Sequence, residues 1–202
     1  MTGRRPTPRE REDARGRVIA DLLPDPLRLL FVGINPSLWS GAVDAHYARP
    51  GNRFWPALHR AGLLPRVVDV SAGLAPADRV LLEHRGIGMT NLVARATARG
   101  DEVTPEELRA GVDRLAALVE RRRPTVVAFA GITTYRIAFG RKEVERGRQA
   151  EPWHGAVVHV LPNPSGLNAH DTVDSIGLAM RAAGADARLV PPMGGHLGGR
   201  PA

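Results

Sequence analysis

Short unbroken apolar runs alternate along the chain with longer stretches in which hydrophobic residues recur every three or four positions. The run Leu27–Val32, apolar but for Arg28, predicts a strand that leaves regular structure at Gly33, with Pro36 preventing a return to a ladder. A long polar and Gly-rich loop is expected next, then a helix over Asn52–Ala61 whose Phe54, Leu58 and Ala61 share one face. A second helix is predicted over Ala77–Arg85 and a short strand over Gly88–Leu92. Thr104-Pro105-Glu106-Glu107 joins an N-cap, a proline at the first helical position and a capping-box glutamate. The helix it opens buries Leu108, Val112, Leu115, Ala116 and Val119 and ends near Arg121, before Pro124. Thr125–Ala130 is apolar after its first residue, as a central parallel strand covered on both faces must be. The pattern closes with a helix over Thr133–Phe139, an outer hairpin arm within Gly147–Gly155, a strand over Val157–Leu161 and a helix over Thr172–Ala183 capped by Asp171.

Strands alternating with helices imply an α/β fold, here a three-layer α/β/α sandwich around a mostly parallel sheet. Residues 20–190 are expected to form one domain. Residues 1–19, rich in arginine and without apolar periodicity, read as a disordered basic arm, and 191–202 as a disordered tail.

Charge and composition narrow the partners. The chain has 28 Lys+Arg against 21 Asp+Glu, a net +7, which favours a polyanion such as nucleic acid. Lys142 is the one lysine, so the excess is arginine, and a general arginine habit would raise the pI to 11.1 equally well. With no cysteine there is no disulfide scaffold, no thiolate zinc site and no cysteine-ligated iron–sulfur cluster. His154 and His159 lack ligand spacing, and no zinc-deaminase pattern is present, so neither a metal nor a cofactor is expected. No apolar run approaches the ~20 residues that span a bilayer, and no signal-peptide core opens the chain. A cytoplasmic monomer without a membrane partner is the expectation.

The candidate chemistry lies at strand ends. Gly33-Ile34-Asn35-Pro36-Ser37 follows the first predicted strand, and Pro162-Asn163-Pro164-Ser165-Gly166-Leu167-Asn168 follows the last. In a parallel sheet both loops share the carboxyl edge, where open α/β sheets bind ligands, so they can flank one cleft. Tyr47-Ala48-Arg49-Pro50-Gly51-Asn52-Arg53-Phe54-Trp55 lies between them in sequence and runs into a helix. No GxGxxG follows the first strand, which removes a dinucleotide-binding reading.

In this order and spacing, GINPS, YARPGNRFW, GMTNLV and LPNPSGLN resemble the mismatch-specific branch of the uracil-DNA glycosylase superfamily, which includes the mismatch uracil glycosylases and thymine-DNA glycosylase. The likeness covers roughly residues 27–183. It implies a uracil-DNA glycosylase-like fold and a catalytic role for Asn35, matching the asparagine that positions the water attacking C1′. It implies a base-binding group of Gly33, Ile34, Tyr47 and Asn91, with Tyr47 as the ring on which the extruded base stacks. It also assigns Asn163, Pro164, Ser165, Gly166, Leu167 and Asn168 to the segment that meets the duplex, with Leu167 as the wedge. Ser37 stands where the family usually has glycine and Trp39 adds bulk to a loop of small residues, so the two are expected to reshape the pocket floor, and Asn168-Ala169-His170 replaces a Ser-Arg-type ending.

Elementary chemistry agrees with these roles. A stacked nucleotide cannot be attacked at its sugar, so it must be extruded at a cost of a few kcal/mol, least for a mispair. An apolar wedge recovers about 1.5–3 kcal/mol of that cost. An asparagine amide is no general base, yet it can orient water by hydrogen bonding. The expected protein is therefore a monofunctional DNA glycosylase acting on double-stranded DNA that carries a mispaired or damaged base, most simply uracil opposite guanine. Two alternatives stay open: the same fold acting on deaminated purines or other damaged bases, and a non-catalytic mismatch-binding protein.

Overall fold

The computed structural model describes residues 3–166 and 170–192. Among these, strands β1 (Leu29–Gly33), β2 (Ile87–Asn91), β3 (Val126–Ala130), β4 (Gly147–Arg148) and β5 (Val157–Leu161) make one sheet in the order β2-β1-β3-β5-β4. All neighbours are parallel except β4, which pairs antiparallel with β5 at the edge. The helices are α1 (Pro8–Glu12), α2 (Leu38–Val43), α3 (Phe54–Arg60), α4 (Pro76–Arg85), α5 (Pro105–Arg122), α6 (Ile132–Phe139) and α7 (Val173–Asp186).

Strand β1 explains the layering. All five of its residues are buried, and their side chains divide by the strand period of two. Leu29 and Phe31 enter a core with Phe54, Leu58, Ile176 and Met180 from α3 and α7, while Leu30 and Val32 enter another with Leu108 and Leu115 from α5. Phe31 meets Phe54 edge-on, with ring centroids 5.1 Å apart. Burying each such side chain stabilises the fold by about 1.5–3 kcal/mol, which is why the sequence shows this strand as a nearly unbroken apolar run. From β1 the chain moves to β2 on one side and then to β3 on the other, so the winding reverses between β1 and β3. Strands diverge at such a point and leave a crevice at their carboxyl ends.

Most predicted elements recur with small boundary shifts. The α5 capping box is present: Thr104 Oγ1 accepts from the Glu107 amide at 3.2 Å, and Glu107 Oε2 accepts from the Thr104 amide at 2.9 Å. The outer arm ends in a turn at His154-Gly155, both with positive φ, closed by paired hydrogen bonds between Trp153 and Ala156. Three expectations need correction. The polar loop after β1 contains α2, which Ser37 caps by accepting from the Ser40 amide. The cap of α7 is Thr172 rather than Asp171, whose carboxylate is occupied by a two-pronged contact with Arg146 at 2.6 and 3.1 Å. The arm expected to be disordered carries α1, opened by a Thr7–Glu10 capping box, and continues into residues packed against the domain. The predicted tail lies mostly outside the described residues.

Candidate active site

A cleft of about 560 Å³ opens at the carboxyl edge of the sheet, lined from β1 by Gly33–Ser37, from β2 by Asn91, from β3 by Ala130 and from the β5 loop by Asn163–Ser165. Four parallel strands thus contribute to one crevice. Tyr47 and His46 form part of its wall.

Asn35 leaves β1 with its amide held. Its Nδ2 donates to Thr97 Oγ1 at 2.7 Å, to Pro36 O at 3.1 Å and to Arg95 O at 3.3 Å. Carbonyls only accept, so these contacts determine which end of the amide is nitrogen. Thr97 Oγ1 gives its own proton to Arg99 O at 2.6 Å, leaving it an acceptor for Asn35. Among the described residues no donor reaches Asn35 Oδ1, which is therefore available to a water or ligand in the cleft.

The second cleft amide is held just as definitely. His46 is buried, and its Nε2 lies 3.1 Å from Ala20 O, so that nitrogen carries the hydrogen. Its Nδ1 then accepts from Asn91 Nδ2 at 3.3 Å. Burial pushes the His46 pKa below its ordinary value, although Asp21 and Asp44 oppose the shift, and this keeps the ring neutral. Asn91 retains a second N–H and Oδ1 for the cleft.

Tyr47 adopts the left-handed region at φ 56° and stacks flat on Phe54, with centroids 3.8 Å apart and planes 6° from parallel. Its hydroxyl is buried and has no hydrogen-bond partner among the described residues, and burial raises its pKa so that the proton stays on. A buried donor without an acceptor costs about 1–3 kcal/mol, which a ligand oxygen would relieve. Gly33 makes room for this group: a methyl there would stand 2.4 Å from Asn91 Oδ1 and 3.1 Å from the Tyr47 hydroxyl.

The opposite rim is the loop after β5. Asn163 Oδ1 accepts from the Ser165 amide at 2.9 Å, a side-chain turn that holds Pro164. Pro164 O accepts from the Arg53 amide at 2.8 Å, and Ser165 O from the Arg53 guanidinium at 3.1 Å. Gly166 lies against Gly51, where a side chain would strike Gly51 O at 2.6 Å. Arg53 thus ties this loop to the start of α3.

Gly33, Ile34, Asn35, Tyr47, Asn91, Asn163, Pro164 and Ser165 therefore share one cleft, and Gly166 adjoins its rim. Leu167 and Asn168 lie outside the described residues. His170 is exposed. Trp39 does not reshape the pocket floor: it sits on α2, donates to Ser71 O at 2.9 Å and packs on the core, whereas Ser37 does line the cleft. Sequence reasoning missed Thr97 and Ile19, whose places in the cleft arise from contacts distant in sequence. Among the described residues no group of His, Asp or Glu could hold a metal ion, and no helix is long and apolar enough to cross a membrane.

Comparison with known proteins follows the same lines. A family model described as the uracil DNA glycosylase superfamily matches residues 20–181. Among solved structures, the solution NMR structure of a Methanosarcina acetivorans protein described as a candidate uracil DNA glycosylase aligns with a TM-score of 0.55 at 20% identity. The alignment covers 82% of this chain and 96% of that one, a likeness of fold.

Proposed function

The chain belongs to the uracil DNA glycosylase superfamily, and from that premise we propose that it is a mismatch-specific DNA glycosylase that excises uracil, foremost opposite guanine. The target nucleotide leaves the stack and enters the cleft, while Leu167 fills the vacated space. Water held at Asn35 Oδ1 attacks C1′. As the new C1′–O bond forms, the C1′–N1 bond breaks and its electron pair departs on the pyrimidine. The water's proton goes to solvent or to the released base, leaving an abasic site and uracil.

The amide takes no proton; it orients the water. Much of the barrier must fall by stabilising charge on the departing base, and the second Asn91 N–H and the Tyr47 hydroxyl are suitable donors. Such an enzyme depends on a good leaving group, which favours uracil over cytosine or thymine. None of the motif segments contains a lysine, so hydrolysis without a Schiff-base step fits best.

The observation that carries this reading is Asn35, with its Nδ2 committed to three acceptors and its Oδ1 left to the cleft beside Tyr47 and Asn91. Single-turnover incubation tests it, using duplexes that hold uracil or thymine opposite guanine, hypoxanthine opposite thymine, or xanthine opposite cytosine, followed by hot alkali. Cleavage at uracil is expected. A uracil duplex left intact at enzyme excess overturns the reading; faster release of hypoxanthine or xanthine redirects it to purines, and tight mispair binding with no release points to a binding protein.

A further inference from the structure

Residues 14–20 precede or just enter the region that matches the family, yet they touch the supports of both cleft amides. Ala14 is fully buried against α2 and Ala96, a fit that relies on Gly41 lacking a side chain: a methyl there would stand 2.8 Å from Ala96 Cβ and 3.4 Å from Ala14 Cβ. The Gly16 amide donates to Ala96 O at 2.9 Å, and the Ala96 amide to Arg17 O at 2.8 Å. Val18 then bridges Arg95 in antiparallel fashion, and Arg15 reaches Glu102 at 2.8 Å.

The segment around Ala96 is thereby clamped on two sides. On one it meets residues 14–18. On the other, Arg95 O and Thr97 Oγ1 accept from Asn35, while the Thr97 amide donates to Pro36 O at 3.1 Å. Two residues beyond Val18, Ala20 O fixes the tautomer of His46, and so the orientation of Asn91. Ile19 between them lines the cleft itself.

We propose that residues 14–20 are a positioning strap of the active site, which sets Asn35 through residues 95–97 and Asn91 through the Ala20 carbonyl and His46. The catalytic consequence rests on the glycosylase reading above; the positioning does not. A nucleophile-orienting group displaced by about 1 Å can cost on the order of a hundredfold in rate, so even a loosened strap should be visible in turnover.

The test uses the full chain with Ala14→Glu, which drives a carboxylate into the sealed contact, and Ala14→Ser as the conservative control. Solvent exchange of the Asn35 and Asn91 side-chain amides, followed by NMR, should quicken by about tenfold in Ala14→Glu, with the backbone amides of β3 unchanged. Single-turnover excision should slow by about tenfold or more, duplex affinity should stay within about twofold, and Ala14→Ser should recover most of the rate. Unchanged side-chain exchange and rate overturn the strap, as does equal loss of protection in β3, which would make it a general folding element. If Ala14→Glu does not fold, Arg15 decides. Arg15, held between Glu12 and Glu102, is then replaced: Arg15→Gln should quicken exchange and slow excision by about threefold, and Arg15→Lys, which keeps the charge, should restore most of both; no effect or no restoration overturns the proposal. If the wild type releases no base while amide exchange responds as expected, the strap stands and the glycosylase reading falls.

Discussion

Two loops leave the carboxyl edge of the sheet with the same triplet, Asn-Pro-Ser, and use the asparagine in opposite ways. In Asn35-Pro36-Ser37 the nitrogen end of the amide is committed to Thr97, Pro36 and Arg95, and the oxygen is left to the cleft. In Asn163-Pro164-Ser165 the oxygen accepts from the Ser165 amide, closing the loop on itself. The difference lies in the partner that each amide finds. Asn35 meets a wall of acceptors supplied by residues 95–97, whereas Asn163 finds a backbone N–H two residues on. One asparagine is thus suited to orient a substrate, and the other shapes a rim.

The largest effect should come from removing the outward-facing amide. Asn35→Ala is expected to lower single-turnover excision by about 10²–10³-fold while leaving mispair binding within a few-fold, as loss of a preorganised polar group in an active site does. Equal loss of binding and rate would erase the contrast between the loops. Thr97→Val comes next, because it removes the shortest of the three contacts that hold Asn35. A rate loss of about five- to tenfold is expected, with normal thermal stability to within about 1 kcal/mol. Asn163→Ala should act on the other side of the comparison, weakening duplex affinity by about threefold with the excision rate of bound substrate preserved. A rate defect as large as that of Thr97→Val would mean that the two loops do the same work.

The smallest effect concerns Asn91, whose amide follows the protonation of His46. Burial holds the His46 pKa below its ordinary 6.5, so below that pH the unfolded chain binds a proton that the folded ring resists. Stability should therefore fall as pH drops below 6.5, until the folded pKa is passed, and be flat above it. His159, also buried, adds to the slope with the same sign. His46→Phe should flatten part of that slope in thermal melts at pH 5 to 7, and an unchanged slope would remove His46 from the account.

Local signals in the sequence carried much of the fold. The α5 start was legible because its cap, proline and glutamate act within four residues, and β1 and β3 because a strand covered on both faces has little room for polar side chains. Helix α2 was not legible: Leu38-Trp39-Ser40-Gly41-Ala42-Val43 has a central glycine and no charged face. Asp171 looked like the α7 cap until Arg146, distant in sequence, claimed its carboxylate. At the site, the motifs identified Asn35, Tyr47 and Asn91, which the structure brings together. The groups that orient them could not be read, because Thr97, Ala20 and His46 act through single long-range hydrogen bonds that no periodicity records. The basic N-terminal segment misled for a related reason. Its polar composition describes the exposed side chains, while its attachment runs through backbone groups and the small buried Ala14.

Gly33 gives the cleft its depth by what it lacks. One added carbon would occupy the space between the Asn91 oxygen and the Tyr47 hydroxyl, so a Gly33→Ala chain would resemble a lock with its keyway soldered shut. Its outer surface would be unaltered, which makes it a way to separate grip on the double helix from admission of a base.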